Sequence, residues 1–228
     1  MPVRIVMLFA LLASAAAGQE KVRVPVVRAT AEGMASARPD RAVIEIGVTT
    51  QAPTAQAAGA QNAEQLTGVM AELKRTLPAG TQIQTAGYSL SPNYASGPNR
   101  AAKIAGYTAI NVVRVTIDDM ESVTKAIDAA TRTGANTINS LQFTVKDEEA
   151  VRAGALKQAT LRARANAEAM AAALGARISR VVEVEEGGAH PIQPLMRAMA
   201  SPAMAATPIE AGTVDVHATV TLTAELQP

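Results

Sequence analysis

Several short segments of this chain alternate apolar and polar residues with a period of two, and this alternation limits the possible folds more than any other feature. In the clearest segment, residues 41–50, one face holds Ala42, Ile44, Ile46 and Val48. A strand with one apolar face needs a cover over that face. The segment therefore predicts a half-buried strand in an antiparallel sheet that is covered on one side.

Other segments repeat the strand pattern or show a helical period. Further strands are predicted at residues 82–94, 104–117, 141–145, 178–186 and 213–226. A helix is predicted from an N-cap at Thr54 to the stop at Pro78-Ala79-Gly80. Its apolar stripe consists of Ala58, Leu66, Val69, Leu73 and Leu77. A second helix is predicted from a capping box of Asp118 and Glu121 to Gly134.

A third predicted helix is long and rich in alanine. Asp147 is its candidate N-cap and Gly175 its stop. Its predicted apolar face consists of Val151, Ala155, Ala159, Ala163, Ala167, Met170 and Leu174. Small side chains at this spacing allow a close backbone approach, either to a sheet or to another helix.

The order of these elements predicts an α+β fold. A largely antiparallel sheet is covered by helices and is built from strand–helix–strand units plus the one long Ala-rich helix. Residues 18–228 are expected to form one domain. Within it, residues 187–212 hold four prolines and three methionines without a sustained period. A loop of this length is usually functional or disordered, so an envelope protein partner is expected to bind here.

The N-terminus predicts export. Residues 1–17 combine Arg4, an apolar run and the small residues Ala15-Ala16-Ala17, as in a cleaved secretory signal peptide. The apolar run is too short to span a bilayer, so no transmembrane span is expected after cleavage. The chain has no cysteine, which excludes disulfides, thiolate metal sites and a cysteine nucleophile.

Charge and aromatic content argue against nucleic acid as a partner. Cleavage after Ala17 removes one of 21 basic residues and leaves 21 − 1 = 20 against 20 acidic residues. A chain without net charge lacks the basic surface that binds phosphates. The remaining aromatic residues are too few for base stacking: Phe143, Tyr88, Tyr94 and Tyr107.

The sequence pattern assigns no catalytic, cofactor-binding or metal residues, and no cofactor is expected. His190 and His217 are the only histidines, and their spacing matches no zinc motif. The alternation around His217 predicts a solvated strand face. Three loop methionines could bind Cu(I), but without a nearby His or Cys they are better explained by packing or a partner: Met196, Met199 and Met204.

Two polar residues have structural interpretations as well as functional ones. Asp40, just before the first predicted strand, is expected to bond to the backbone of its own turn, since no second carboxylate has a spacing that would pair with it. Asn62 continues the apolar stripe of its helix. It is therefore expected to be buried, with its amide hydrogen-bonded to an adjacent strand end.

At the level of whole segments, the chain resembles the SIMPL-domain family of exported bacterial proteins. The segments that carry the resemblance are "ATAEGMASARPDRAVIEIGVTTQAPTAQAAGAQNAE", "QTAGYSLSPNY", "IAGYTAINVVRVTIDDMESVTKAIDAATRTGANTINSLQFTVKDEE", "AEAMAAALGA" and "IEAGTVDVHATVTLTAEL". The resemblance implies a periplasmic or outer-membrane-associated location, an α+β fold, self-assembly in some members and tolerance of oxidative and envelope stress. It brings no catalytic residues to Asp40, Asn62 or Tyr107.

Three functional hypotheses follow. The first is a non-enzymatic periplasmic protein that forms a homo-oligomer or binds envelope partners. The second is an envelope module that binds a small ligand or a metal. The third, a hydrolase whose site is assembled only by the fold, is the least favoured because no catalytic constellation is visible in the sequence.

Overall fold

The computed structural model describes residues 24–95, 103–187 and 211–228. Their strands are β1 (Val26–Ala37), β2 (Arg41–Ala52), β3 (Gln82–Ala95), β4 (Lys103–Ile117), β5 (Thr137–Thr144), β6 (Arg177–Glu186) and β7 (Val214–Gln227). Their helices are α1 (Ala55–Thr76), α2 (Ser122–Arg132) and α3 (Glu148–Ala173). The predicted α+β class is confirmed, but the strands form two antiparallel sheets rather than one.

The larger sheet has the strand order β3-β4-β2-β5 and is covered on one face by α1 and α2. The two predicted strand–helix–strand units, β2-α1-β3 and β4-α2-β5, interleave so that β2 and β4 lie in the middle, which is the split βαβ arrangement. The core between this sheet and its helices includes the fully buried Ile44, Ile46, Leu73, Val113 and Val115.

The smaller sheet has the order β1-β7-β6, and α3 packs on one of its faces. The alanine stripe of α3 faces this sheet, which was one of the two predicted alternatives. At Gly33 on β1 an added Cβ would lie 2.2 Å from the carbonyl oxygen of Ala155. Glycine on the strand and alanine on the helix are therefore what allow the two backbones to approach so closely.

The predicted apolar face of α3 is wrong at its C-terminal end. Met170 is 40% exposed and Leu174 is 72% exposed, whereas Ala171 is buried. The buried stripe keeps a strict four-residue spacing from Ala155 to Ala171. Four residues exceed one helical turn of 3.6, so the buried side rotates along the helix as it crosses the sheet.

Strand β1 was not predicted. Its side toward α3 is formed by Val27, Ala29, Ala31, Gly33 and Ala35. Small residues give little apolar contrast, which explains why the alternation was overlooked. The predicted signal peptide at residues 1–17 and nearly all of the loop at residues 187–212 lie outside the described residues.

Two of the three predicted helix starts are confirmed. The hydroxyl of Thr54 accepts a hydrogen bond from the amide of Ala57 at 3.2 Å. The carboxylate of Asp147 accepts one from the amide of Ala150 at 2.9 Å. Each side chain satisfies a helix N–H that has no partner within its own helix.

The predicted capping box at α2 is wrong. The N-cap is Glu121, which makes no side-chain cap. Asp119 instead accepts hydrogen bonds from the hydroxyl of Ser122 at 2.6 Å and from the amide of Glu121 at 3.2 Å. Asp118 is bonded elsewhere, to Arg41.

Candidate functional site

Asp40 lies in the connection between β1 and β2. Its hydrogen bonds join this connection to the one between β5 and α3. Its carboxylate accepts a hydrogen bond from the amide of Lys146 at 2.7 Å, and its own amide donates to the carbonyl of Thr144 at 3.2 Å. The predicted bond to its own turn backbone is therefore wrong, because the partner lies 106 residues further along the chain. The contacts of Asp40 are nevertheless structural.

Beside Asp40, a cluster of three charged side chains occupies one end of the larger sheet. The Nε atom of Arg41 lies 2.9 Å from Oδ1 of Asp118, and Nζ of Lys146 lies 3.3 Å from Oδ2 of the same carboxylate. A cavity of about 300 Å³ adjoins this cluster and is lined in part by Arg41, Asp118, Asp119 and residues 78–82. One guanidinium and two carboxylates therefore face the same small space.

The carboxylates at this cavity are held in their ionised forms. The hydrogen bond from Arg41, with a second contribution from Lys146, lowers the pKa of Asp118 despite partial desolvation. The hydroxyl of Ser122 is the main cause of the lowered pKa of Asp119. A general acid or base works best when its pKa lies near the operating pH. These two carboxylates are thus suited to holding donors in place rather than to moving protons at neutral pH.

Asn62 is fully buried, as predicted, and joins α1 to two neighbouring strands. Its Nδ2 atom donates to the carbonyl of Val48 on β2 at 2.8 Å and to that of Ala109 on β4 at 3.1 Å. Its Oδ1 atom has no hydrogen-bond partner among the described residues. The predicted structural interpretation of Asn62 is confirmed.

The remaining candidates are dispersed. Tyr107 on β4 packs beside a small cluster of buried alanines near the start of α1. His217 is exposed on the face of β7 opposite α3, which confirms the predicted solvated strand face. His190 and the three methionines Met196, Met199 and Met204 lie outside the described residues.

Two edge strands, β3 and β6, carry six of the fifteen exposed large hydrophobic side chains among the described residues. The exposed residues on β3 are Tyr88, Leu90 and Tyr94, and those on β6 are Val181, Val182 and Val184. Each of the six is between 40% and 57% exposed. A second cavity, of about 350 Å³, lies between the C-terminal part of α3 and β6, with Val181 in its lining. Each of the two sheets therefore exposes apolar side chains on one of its edge strands.

The described part of the chain holds neither a metal-binding cluster of His, Cys, Asp and Glu nor a membrane-spanning helix. Within residues 24–95, 103–187 and 211–228, no three or more His, Cys, Asp or Glu side chains are grouped so that they could hold a metal ion. Of the helices in these ranges, none is both long enough and apolar enough to cross a membrane.

The sequence prediction missed the ion pair between Arg41 and Asp118, because Asp118 was assigned as a helix cap. The two residues are 77 positions apart, so no local pattern links them. The strand pairing does, since Ala42 at the start of β2 lies opposite Ile117 at the end of β4. With that register known, Arg41 and Asp118 would be predicted to lie close together.

Comparison with known proteins places the whole domain in one family. The model of the SIMPL family, described as a protein of unknown function (DUF541), matches residues 27–224. The 26 kDa periplasmic immunogenic proteins of Brucella melitensis and Brucella abortus are each 30% identical over 205 residues, which cover 88% of this chain and 82% of the relative. The uncharacterized protein YggE of Edwardsiella ictaluri is 26% identical over 146 residues, or 64% of this chain and 61% of that protein. The chain therefore belongs to the SIMPL family.

Proposed function

We propose that this chain is a non-enzymatic periplasmic protein of the cell envelope that assembles with itself through the edge strands β3 and β6. The predicted signal peptide and the periplasmic location in the names of the two Brucella relatives support the compartment. The resemblance to exported proteins that self-assemble in some members supports the oligomer.

The observation that carries this proposal is the apolar surface on the two edge strands. An edge strand leaves a row of backbone N–H and C=O groups without a neighbour and can pair with another chain. Soluble proteins usually blunt such edges with charge. β3 has no charged residue and exposes tyrosine and leucine side chains, whereas β6 exposes three valines between charged side chains. The formal net charge of the chain is only +1, so copies would repel each other weakly.

The charged cluster at the end of the larger sheet supports a non-enzymatic role. Asp118 is bonded to both Arg41 and Lys146, and Asp119 is bonded to the start of α2. These bonds already occupy the carboxylates that line the cavity. A nucleophile with an adjacent base, which covalent catalysis needs, does not occur among the contacts of this cavity's described lining.

Assembly is tested by light scattering coupled to size-exclusion chromatography of the mature chain. Wild-type protein is expected to run as an oligomer. Leu90→Ser with Tyr94→Ser on β3, or Val181→Ser with Val184→Ser on β6, should lower the mass toward that of the monomer. These side chains are exposed in the single chain, so the variants should remain folded.

Leu161→Ser is the matched control, because Leu161 is 60% exposed on α3, away from both edge strands. It should leave the mass unchanged. A monomeric wild-type protein, or variants at both edges that assemble as the wild type does, would refute the proposal.

A role in tolerance of oxidative and envelope stress is part of the same proposal and rests on the family resemblance. A strain that lacks the protein should grow less well under peroxide, and the wild-type gene should restore growth better than the edge-strand variants. A second candidate function is metal binding. It is favoured by the pairing of Met34 with His217 on the smaller sheet.

A further inference from the structure

Met34 and His217 lie side by side on adjacent strands of the smaller sheet, β1 and β7. The two residues are directly opposite in the antiparallel pairing of β1 with β7. The amide of Met34 donates to the side chain of Gln158 at 2.7 Å, on the side away from β7. Met34 and His217 therefore form a non-hydrogen-bonded pair, in which the Cα atoms are only about 4.5 Å apart and the side chains lie close together.

A neighbouring pair on the same face shows that side chains do meet across this register. Thr30 and Thr221 are also directly opposite each other, and their hydroxyl oxygens lie 2.9 Å apart. Met34 lies four residues after Thr30, and His217 four residues before Thr221, so both point to this same face. Because α3 covers the other face, both side chains are exposed, Met34 to 47%.

The pairing places a thioether sulfur and an imidazole nitrogen at neighbouring positions on one open face of the sheet. Thioethers select soft metal ions, of which Cu(I) is the biological example, and imidazole also binds copper well. Hard ions such as Ca²⁺ and Mg²⁺ need several oxygen ligands. Zn²⁺ in proteins takes at least three protein ligands. A pair of one sulfur and one nitrogen matches Cu(I), which accepts low coordination numbers.

We propose that Met34 and His217 bind one Cu(I) ion on the open face of the smaller sheet. The next pair along the strands, Ser36 and Asp215, could contribute only oxygen ligands, which Cu(I) binds poorly. The site is independent of the edge strands proposed for assembly. It was not predicted from the sequence, because β1 was not recognised as the partner of β7.

The proposal is tested by titrating the mature protein with Cu(I) under anaerobic conditions, in competition with a coloured Cu(I) chelator. Met34→Leu and His217→Gln should each weaken Cu(I) binding by about tenfold or more, since even the loss of a group that only orients a ligand costs about that much. Met170→Leu is the matched control, an exposed methionine on α3, and should bind as the wild type does.

The chain has further methionines, so the site is also observed directly by NMR. On addition of one equivalent of Cu(I), the methyl signal of Met34 and the imidazole signals of His217 should shift together. The shift at His217 should disappear in Met34→Leu. Unchanged affinity in both variants, or unshifted Met34 and His217 signals at one equivalent, would overturn the proposal.

Discussion

At the scale of single residues, the buried amide of Asn62 does more than fill the stripe of α1. One Nδ2 group bonds to carbonyls on β2 and β4 at once, so it fixes the position of α1 over the two central strands. A buried polar group is costly unless it is hydrogen-bonded. The two bonds satisfy the Nδ2 group, whereas Oδ1 has no partner among the described residues. Asn62 thus specifies where the helix lies along the sheet, which apolar contacts alone do weakly.

Asn62→Leu should lower the free energy of unfolding by about 1–3 kcal/mol, because it removes two buried hydrogen bonds while keeping a side chain of similar size. Urea denaturation of both proteins measures the difference. Gln61→Leu makes a related change at the exposed neighbouring position and should alter stability by no more than about 0.5 kcal/mol. Equal stability of Asn62→Leu and wild type would show that the bonds contribute nothing.

At the scale of elements, the packing of α3 is stabilised by its close approach to the smaller sheet rather than by a large buried apolar area. Ala159, Ala163 and Ala167 pack with Val220 and Leu222 of β7 in one buried cluster. An alanine side chain buries little surface, so the stabilisation comes from the many van der Waals contacts of closely packed backbones. The absence of a Cβ at Gly33 on β1 serves the same contact.

Ala163→Leu should destabilise the protein by about 1–3 kcal/mol through overpacking, since a larger side chain would push α3 away from its sheet. Helix propensity is nearly unchanged, so the effect reports packing alone. Ala165→Leu, two residues away on the exposed side of the same helix, is the matched control. Thermal unfolding of the two variants should differ, and by the same amount at every protein concentration, because the contact lies within one chain.

Sequence patterns predicted the elements that have strong apolar contrast. The alternation in β2 and the stripe of α1 correctly gave those elements and most of the larger core. Strand β1 was not predicted, because its buried side consists mainly of alanine and glycine. The loss of β1 also concealed the pairing of Met34 with His217, since that contact depends on a register between strands at opposite ends of the chain.

At the scale of the whole molecule, two connections hold the two sheets in one structure. One runs from β1 to β2 and the other from β5 to α3, and Asp40 bonds them to each other through the backbone of Thr144 and Lys146. Asp118, at the end of β4, adds salt bridges to Arg41 and to the side chain of Lys146. Polar contacts therefore join parts of the chain that have separate apolar cores.

Asp118→Asn should weaken the protein near neutral pH and should have no effect in strong acid. The folded-state pKa of Asp118 lies below its ordinary value, chiefly because Arg41 donates a hydrogen bond to it. A carboxyl group with a lowered folded-state pKa contributes its full stability above the unfolded-state pKa of about 3.9. This contribution is lost as the pH falls through the folded-state pKa.

The urea midpoint, measured from about pH 7 to about pH 2, should show this difference closing as the pH falls. Asp128→Asn changes an exposed carboxylate on α2 outside the junction and should lower the midpoint much less. Because the salt bridges join the two connections, hydrogen exchange at the Lys146 amide should also become faster in Asp118→Asn at neutral pH. A variant with the wild-type midpoint near pH 7 would mean that the salt bridges of Asp118 with Arg41 and Lys146 do not stabilise the protein. The bonds of Asp40 alone would then hold the junction.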